Sequence, residues 1–212
     1  MRAHPSALED LALHGVRVLG FPTPGRIAGR WRLDRAAVEE ALLDAEARGW
    51  AQQTSFGGSS GWSLTDAGRA EGERRLASEL DLVGARPAVQ DVHARFRPLN
   101  RRFGAACTDW QIRPDRLDPM AANDHTDWRW DERVLRTLSS VERSFVALCA
   151  ELADRLERFD GYGQRYSAAL RRVQAGERRW VDAPEQDSLH LLWIQFHEDL
   201  LASLGIERGT DG

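Results

Sequence analysis

A chain of 212 residues that is 42% hydrophobic and 29% charged has ordinary globular composition, which excludes a disordered polymer and leaves length for one large domain or two small ones. The formal charge of −4 at pH 7 gives no global attraction to nucleic acid, so any such binding needs a local basic patch. Cys107 and Cys149 are too few for a disulfide framework, no apolar run reaches membrane-spanning length, and Glu9 and Asp10 interrupt what a signal peptide would keep apolar; the expectation is a cytoplasmic protein with no membrane partner.

Pro5-Ser6-Ala7-Leu8-Glu9 reads as a capping box, Ser6 covering free backbone donors and Glu9 reaching back, and opens a helix to about Val18. Gly20 to Pro24 break it. Thr23 caps a short second helix through Arg30, Trp31 to Leu33 turn, and Asp34 caps a third helix with Val38, Ala41, Leu42 and Ala45 on one face, ended by Gly49. Trp50 to Thr54 and Trp62 to Leu64 read as strands around a glycine/serine tip, Ser55 to Gly61. Thr65 then caps a fourth helix to about Leu82. Three helices, a β-hairpin wing and a closing helix predict a winged helix-turn-helix over residues 1–85.

Residues 86–212 predict a helical bundle that binds a ligand or dimerises, so the fold class is mainly α. Val83 to Arg86 reads as a linker, Pro87 opens a helix that Pro98 breaks or restarts, and this helix ends near Gln111. Ile112 to Asp127 form a loop too long for a bare connector. Val134, Leu138, Val141, Phe145, Leu148 and Leu152 repeat at alternating four and three, one stripe of a long helix that Gly161 and Gly163 end. Tyr166, Leu170 and Val173 mark a shorter helix, and Asp182-Ala183-Pro184-Glu185 caps a last one to about Gly205.

Arg48-Gly49-Trp50, the glycine-rich hairpin and Leu64-Thr65-Asp66-Ala67-Gly68-Arg69 resemble the MarR-type winged-helix regulators, which implies a DNA-binding dimer. The second half resembles a segment at the C-terminal end of certain actinobacterial pyruvate, phosphate dikinase-like proteins. The matching residues are Cys107 to Gln111, Asn123-Asp124-His125 with Asp127, Ala175-Gly176-Glu177 and His197-Glu198-Asp199-Leu200. In those longer proteins a winged helix also precedes the segment. The phosphohistidine and nucleotide-grasp domains of dikinase chemistry have no counterpart in this sequence, so that activity does not carry over.

In a winged helix the third helix enters the major groove, where phosphates favour arginine around it. Here that helix is acidic, with Glu39, Glu40, Asp44 and Glu46 against Arg35 and Arg48, and over residues 1–82 ten arginines stand against twelve carboxylates. Arg26, Arg30, Arg32 and Arg35 are the one basic cluster, and two readings stay open: phosphate contact, which releases counterions, or pairing with Glu39, Glu40 and Asp44 on a solvated face.

On the last helix Leu189, Trp193, Phe196 and Leu200 form one stripe and His190, Ile194, His197 and Leu201 the next, so both histidines are expected to point inward, with Gln195 and Glu198 beside them. The candidate ligand-binding residues are Cys107, Asp109, Trp110, Asn123, Asp124, His125, Trp193, His197 and Glu198. A hydrogen-bonded helix junction is the alternative. Trp110, Trp128, Trp130 and Trp193 could wall a site between bundle helices. No HExxH or paired-cysteine spacing marks a metal site, and no cofactor is indicated.

Three functions follow. The first is a winged-helix transcriptional regulator that binds DNA as a homodimer and senses a small molecule in its helical half. The second is a non-DNA-binding interaction or allosteric module of a phosphoenolpyruvate-type enzyme system. The third is an enzyme on a regulator scaffold, using Asp109, His125, His197 or Glu198 for acid/base work, which requires those groups to converge.

Overall fold

The computed structural model describes residues 3–207 and residue 209, with Phe56 described in its backbone alone. The chain divides into two compact units. One comprises the residues up to 90, 152–159 and those from 195 on; the other comprises 91–151 and 160–194. Among the described residues no helix is long and apolar enough to cross a membrane.

The first unit contains a winged helix-turn-helix: α1 (Leu8–Leu19), α2 (Pro24–Trp31), α3 (Arg35–Ala47), strands β1 (Ala51–Phe56) and β2 (Ser59–Leu64), and α4 (Asp66–Leu82). Each cap residue read at the start of α2, α3 and α4 takes a free amide of the first turn. Thr23 Oγ1 accepts from Arg26 N at 3.3 Å, Asp34 Oδ1 from Ala37 N at 2.9 Å, and Thr65 Oγ1 from Gly68 N at 3.0 Å. Ser6 does not cap α1, because that helix begins at Leu8 behind Ala7, whose side chain makes no capping bond. Upstream, His4 is paired in extended form with residues 155–157, His4 N donating to Arg155 O at 2.8 Å and Glu157 N to His4 O at 2.9 Å.

The wing strands are longer and the tip shorter than the sequence suggested. Gly57 and Gly58, at φ +59° and +81°, make a two-residue turn that sets Phe56 opposite Ser59; two successive left-handed positions suit the twist of a hairpin and favour glycine. Gly68 is required for a different reason: a Cβ there would lie 1.8 Å from the carbonyl oxygen of Trp50. The core joins Val16 of α1, Ile27 of α2, Val38 and Leu42 of α3 and Trp62 of β2 in one buried cluster.

The second unit is a helical bundle built from most of α5 (Arg86–Gln111) and α6 (Trp128–Ala153), all of α7 (Tyr162–Gln174) and the first turns of α8 (Leu189–Leu204). The α6 stripe from Val134 to Leu152 is buried throughout. Pro98 does not break α5, although a proline removes one amide from a helix at a cost of about 3 kcal/mol. Trp193 packs on both sides of it: its ring stacks on Phe103 at 4.1 Å and lies 4.9 Å from Phe96, and Nε1 donates to Asn100 Oδ1 at 2.8 Å. Tyr166 of α7 donates its hydroxyl to Leu138 O of α6 at 3.0 Å.

Two boundaries differ from expectation. α6 stops at Ala153, before a single 3-10 turn at Glu157–Phe159, so Gly161 caps the start of α7 and Gly163 lies inside it. Asp182 to Glu185 do not cap α8. Ser188 does, its Oγ accepting from Leu191 N at 3.3 Å, while Asp182 accepts from Gln111 Nε2 at 3.1 Å.

Candidate functional site

The basic cluster of the winged helix resolves into two kinds of arginine. Arg26, Arg32 and Arg35 are exposed, and among the described residues none of the three has an ion-pair partner, Glu39, Glu40 and Asp44 included. Three acids of this region are engaged elsewhere: Asp34 caps α3, Asp44 lies 3.7 Å from Arg48 one turn away, and Glu46 Oε1 accepts from Gln53 N of the wing at 3.1 Å. Arg30 is half-buried, stacks over the Trp31 ring at 5.1 Å and donates Nη2 to the carbonyl of Arg158 at 3.2 Å.

That carbonyl belongs to a buried ionic cluster of the first unit that the sequence reading did not identify. The Arg158 guanidinium, wholly buried, donates Nε to Glu79 Oε2 at 3.0 Å, Nη2 to Ser203 Oγ at 2.8 Å and Nη1 to Asp199 Oδ1. His14 Nε2 lies 3.1 Å from the same Asp199 oxygen. Burial pushes the Asp199 carboxyl up, but the charge of Arg158, then that of His14 and Arg30, outweighs it and holds the group below the usual carboxylate range.

In the second unit the loop after α5 and the first turn of α6 bring Trp110, Asn123 and His125 around Asp131, another residue outside the sequence prediction. Asp131 is 3% exposed. It accepts from Asn123 Nδ2 at 3.0 Å, His125 Nδ1 lies 3.1 Å from both its oxygens, and Arg178 Nη1 lies 3.5 Å away. Asn123 is fully used: Nδ2 also donates to Trp110 O at 3.0 Å, and Oδ1 accepts from His125 N at 3.1 Å. With both amide hydrogens committed to oxygens, Asn123 has none for the imidazole, and an unprotonated Nδ1 would set its lone pair against both Asp131 oxygens. The neutral ring of His125 therefore carries its proton on Nδ1 and leaves Nε2 as a basic lone pair. The ring packs 4.4 Å from Trp110, its side chain is 30% exposed, and its backbone sits at φ +59°, a conformation uncommon for residues other than glycine.

The other expected site residues have different surroundings. Asp124 accepts from Thr126 N at 3.0 Å and Oγ1 at 2.8 Å, which lower its pKa, and Asp127 Oδ1 accepts from Arg129 N and Trp130 N at the head of α6. The carbonyl of Asp109 takes Trp130 Nε1 at 2.6 Å, and Trp128 is exposed. Cys107 is buried, and burial, with the charge of Asp182 added, pushes its thiol up to about 12, so no thiolate is available at neutral pH. Trp193 belongs to the core around Phe103. His197 and Glu198 belong to the first unit, Asp109 and His125 to the second. His197 is half-buried, and Glu198 accepts from Arg17 Nε at 2.7 Å. Among the described residues no group of three or more His, Cys, Asp or Glu side chains is arranged to hold a metal ion.

Asp131 carried a signal that was readable in the sequence. It lies three residues before Val134 and so extends the apolar stripe of α6 by one position, and a carboxylate on a buried stripe requires partners. In comparisons with known proteins no family model matches the chain, and no curated protein and no solved structure matches it either.

Proposed function

We propose that the chain is a MarR-like transcriptional regulator that binds DNA as a dimer and responds to a small molecule held in its helical half. The observation that carries this reading is the set of three exposed, unpaired arginines, Arg26 in the first turn of α2 and Arg32 and Arg35 at the turn between α2 and α3. An arginine already paired with a carboxylate has little to offer a phosphate, whereas an unpaired one releases a counterion from DNA for each contact made. In the helical half the group best suited to a ligand is His125, whose Nε2 is free of the hydrogen bonds that hold Nδ1 to Asp131.

The test is titration of fluorescent duplex DNA with the protein over a range of salt concentrations. The affinity is expected to fall steeply with salt, and Arg26→Ala, Arg32→Ala and Arg35→Ala each to reduce the log–log slope by about 1. Binding that is absent at low ionic strength, or indifferent to the triple substitution, refutes the reading. A second reading is favoured by α3 itself, where Glu39, Glu40 and Leu43 are exposed: an acidic, partly apolar face suits a protein partner such as a phosphoenolpyruvate-type enzyme. Its mark is a stable complex with that partner and no affinity for DNA.

A further inference from the structure

We infer that Arg158 and Trp31 are positioning residues for the arginine face, which places that face under the control of a segment from the C-terminal half of the sequence. The inference rests on the DNA-binding reading for its function and on the geometry of the first unit for its mechanism. Trp31 is the last residue of α2, followed by Arg32 in the left-handed conformation at φ +56°. Its indole Nε1 donates to the carbonyl of Arg158 at 3.0 Å, and Arg30 Nη2 donates to the same oxygen at 3.2 Å. The end of α2 is thus tied by two side chains to one carbonyl, directly beside the turn that presents Arg32 and Arg35.

The carbonyl is itself fixed. The Arg158 side chain is tied to Glu79 of α4 and to Asp199 and Ser203 of α8, and its guanidinium lies 4.3 Å over the ring of Phe159. The residues just before it pair with His4. A backbone oxygen held by a wholly buried guanidinium has little freedom to follow a moving helix. The segment 155–159 follows directly on α6, so the strut that fixes the α2–α3 turn is the part of the chain into which the longest apolar stripe runs. Without the strut the turn would keep its arginines and lose their fixed spacing, and a pre-ordered set of charges binds more tightly than a mobile one.

Trp31→Phe keeps an aromatic ring and removes the indole donor, and it is the variant of choice in the full-length protein. Two quantities are read: amide hydrogen exchange at residues 28–33, with Val38 and Leu42 of α3 as the internal reference, and affinity for duplex DNA across salt. Loss of one hydrogen bond is expected to raise exchange at 28–33 about two- to tenfold and leave the reference unchanged. DNA affinity should fall by a similar factor with an unaltered salt slope, because every phosphate-contacting arginine is still present. Arg158→Lys, which retains the charge and loses the fork of donors, should show the same pattern more strongly. Unchanged exchange overturns the strut. Raised exchange with unchanged affinity, in a wild-type protein that binds DNA, overturns its role in positioning. If the wild type binds no DNA at any salt concentration, the functional reading fails while the exchange measurement still decides whether the strut holds the turn.

Discussion

Each unit of the molecule contains a histidine nitrogen about 3.1 Å from an aspartate oxygen, and the two pairs differ in what surrounds them. His14 and Asp199 have 1% and 0% of their side chains exposed, and Asp199 is shared with the buried Arg158. The His125 side chain is 30% exposed over an Asp131 side chain that is 4% exposed, and its partner hydrogen bonds all fall on one side of the ring. The same two residue types therefore make a locked joint in one place and an oriented, accessible imidazole in the other. Solvent access to the second ring nitrogen separates them: neither nitrogen of His14 can reach an incoming molecule, whereas His125 is held by Nδ1 and presents Nε2.

Asp199→Asn should break this contrast most severely. Removing one charge from a buried ionic cluster leaves Arg158 short of compensation, a loss of about 3–5 kcal/mol in unfolding free energy, measured by denaturant titration. The pH dependence follows from the lowered pKa of Asp199. A carboxyl that is a stronger acid folded than unfolded contributes its full stability above the unfolded value, about 3.9, and loses it as pH falls below that toward the folded value. The gap between wild type and Asp199→Asn should accordingly hold steady from neutrality down to about pH 5 and narrow in more acid solution. A gap that widens on acidification contradicts the assignment of charge to this cluster.

Asp131→Asn should cost less, about 1–2 kcal/mol, because His125 is partly solvated and water can replace a lost partner. Its sharper effect is on the imidazole. Nitrogen-15 NMR of the wild type should find neutral His125 protonated on Nδ1, and the asparagine variant should shift the population toward the Nε2–H form. A wild-type ring protonated on Nε2 would remove the basic lone pair from the exposed side, and with it the case for His125 as the ligand-facing group.

The winged helix was legible because each of its elements is announced locally. Thr23, Asp34 and Thr65 stand immediately before their helices, whereas the glycine-rich stretch marks the hairpin without fixing its two-residue turn at Gly57-Gly58. The buried stripe of α6 was equally plain from its spacing. The Arg158 cluster was not, since its members come from α1, α4, the turn at 157–159 and α8, and no periodicity runs through a non-helical arginine. The last helix shows the limit well. His197 and Glu198 drew attention as polar residues on an apolar helix, yet both are half-buried, and the wholly buried acid is their neighbour Asp199, with Ser203 one turn on. Leu192, Phe196, Asp199 and Ser203 follow one helical stripe, so the position was readable, but its partners lay more than a hundred residues away in sequence or in an irregular turn. His125 stands among the candidates that the sequence offers, whereas Asp131, the acid that contacts its ring, does not.

A third carboxylate, Glu71 on α4, supplies the smallest effect and tests whether burial is the variable that matters. It bonds both neighbouring guanidiniums, Arg74 Nε at 2.8 Å and Arg75 Nε at 2.7 Å. The bond from Arg74, opposed by partial burial and reinforced by Arg75, lowers its pKa to about 2. By pKa alone Glu71 resembles a strongly committed acid, and its contribution should be present above the usual glutamate value and disappear as pH falls toward 2. Yet Arg74 is 64% exposed, so water and salt screen the attraction that Asp199 keeps whole. Glu71→Gln should therefore change unfolding free energy by at most about 1 kcal/mol, and the difference should vanish in about 1 M salt, where charges are screened beyond about 3 Å. The Asp199 loss should survive the same salt nearly intact, because its partners exclude the ions that would screen them. Equal salt sensitivity in the two variants would mean that solvent reaches Arg158, and the distinction between a locked joint and an accessible pair would no longer hold.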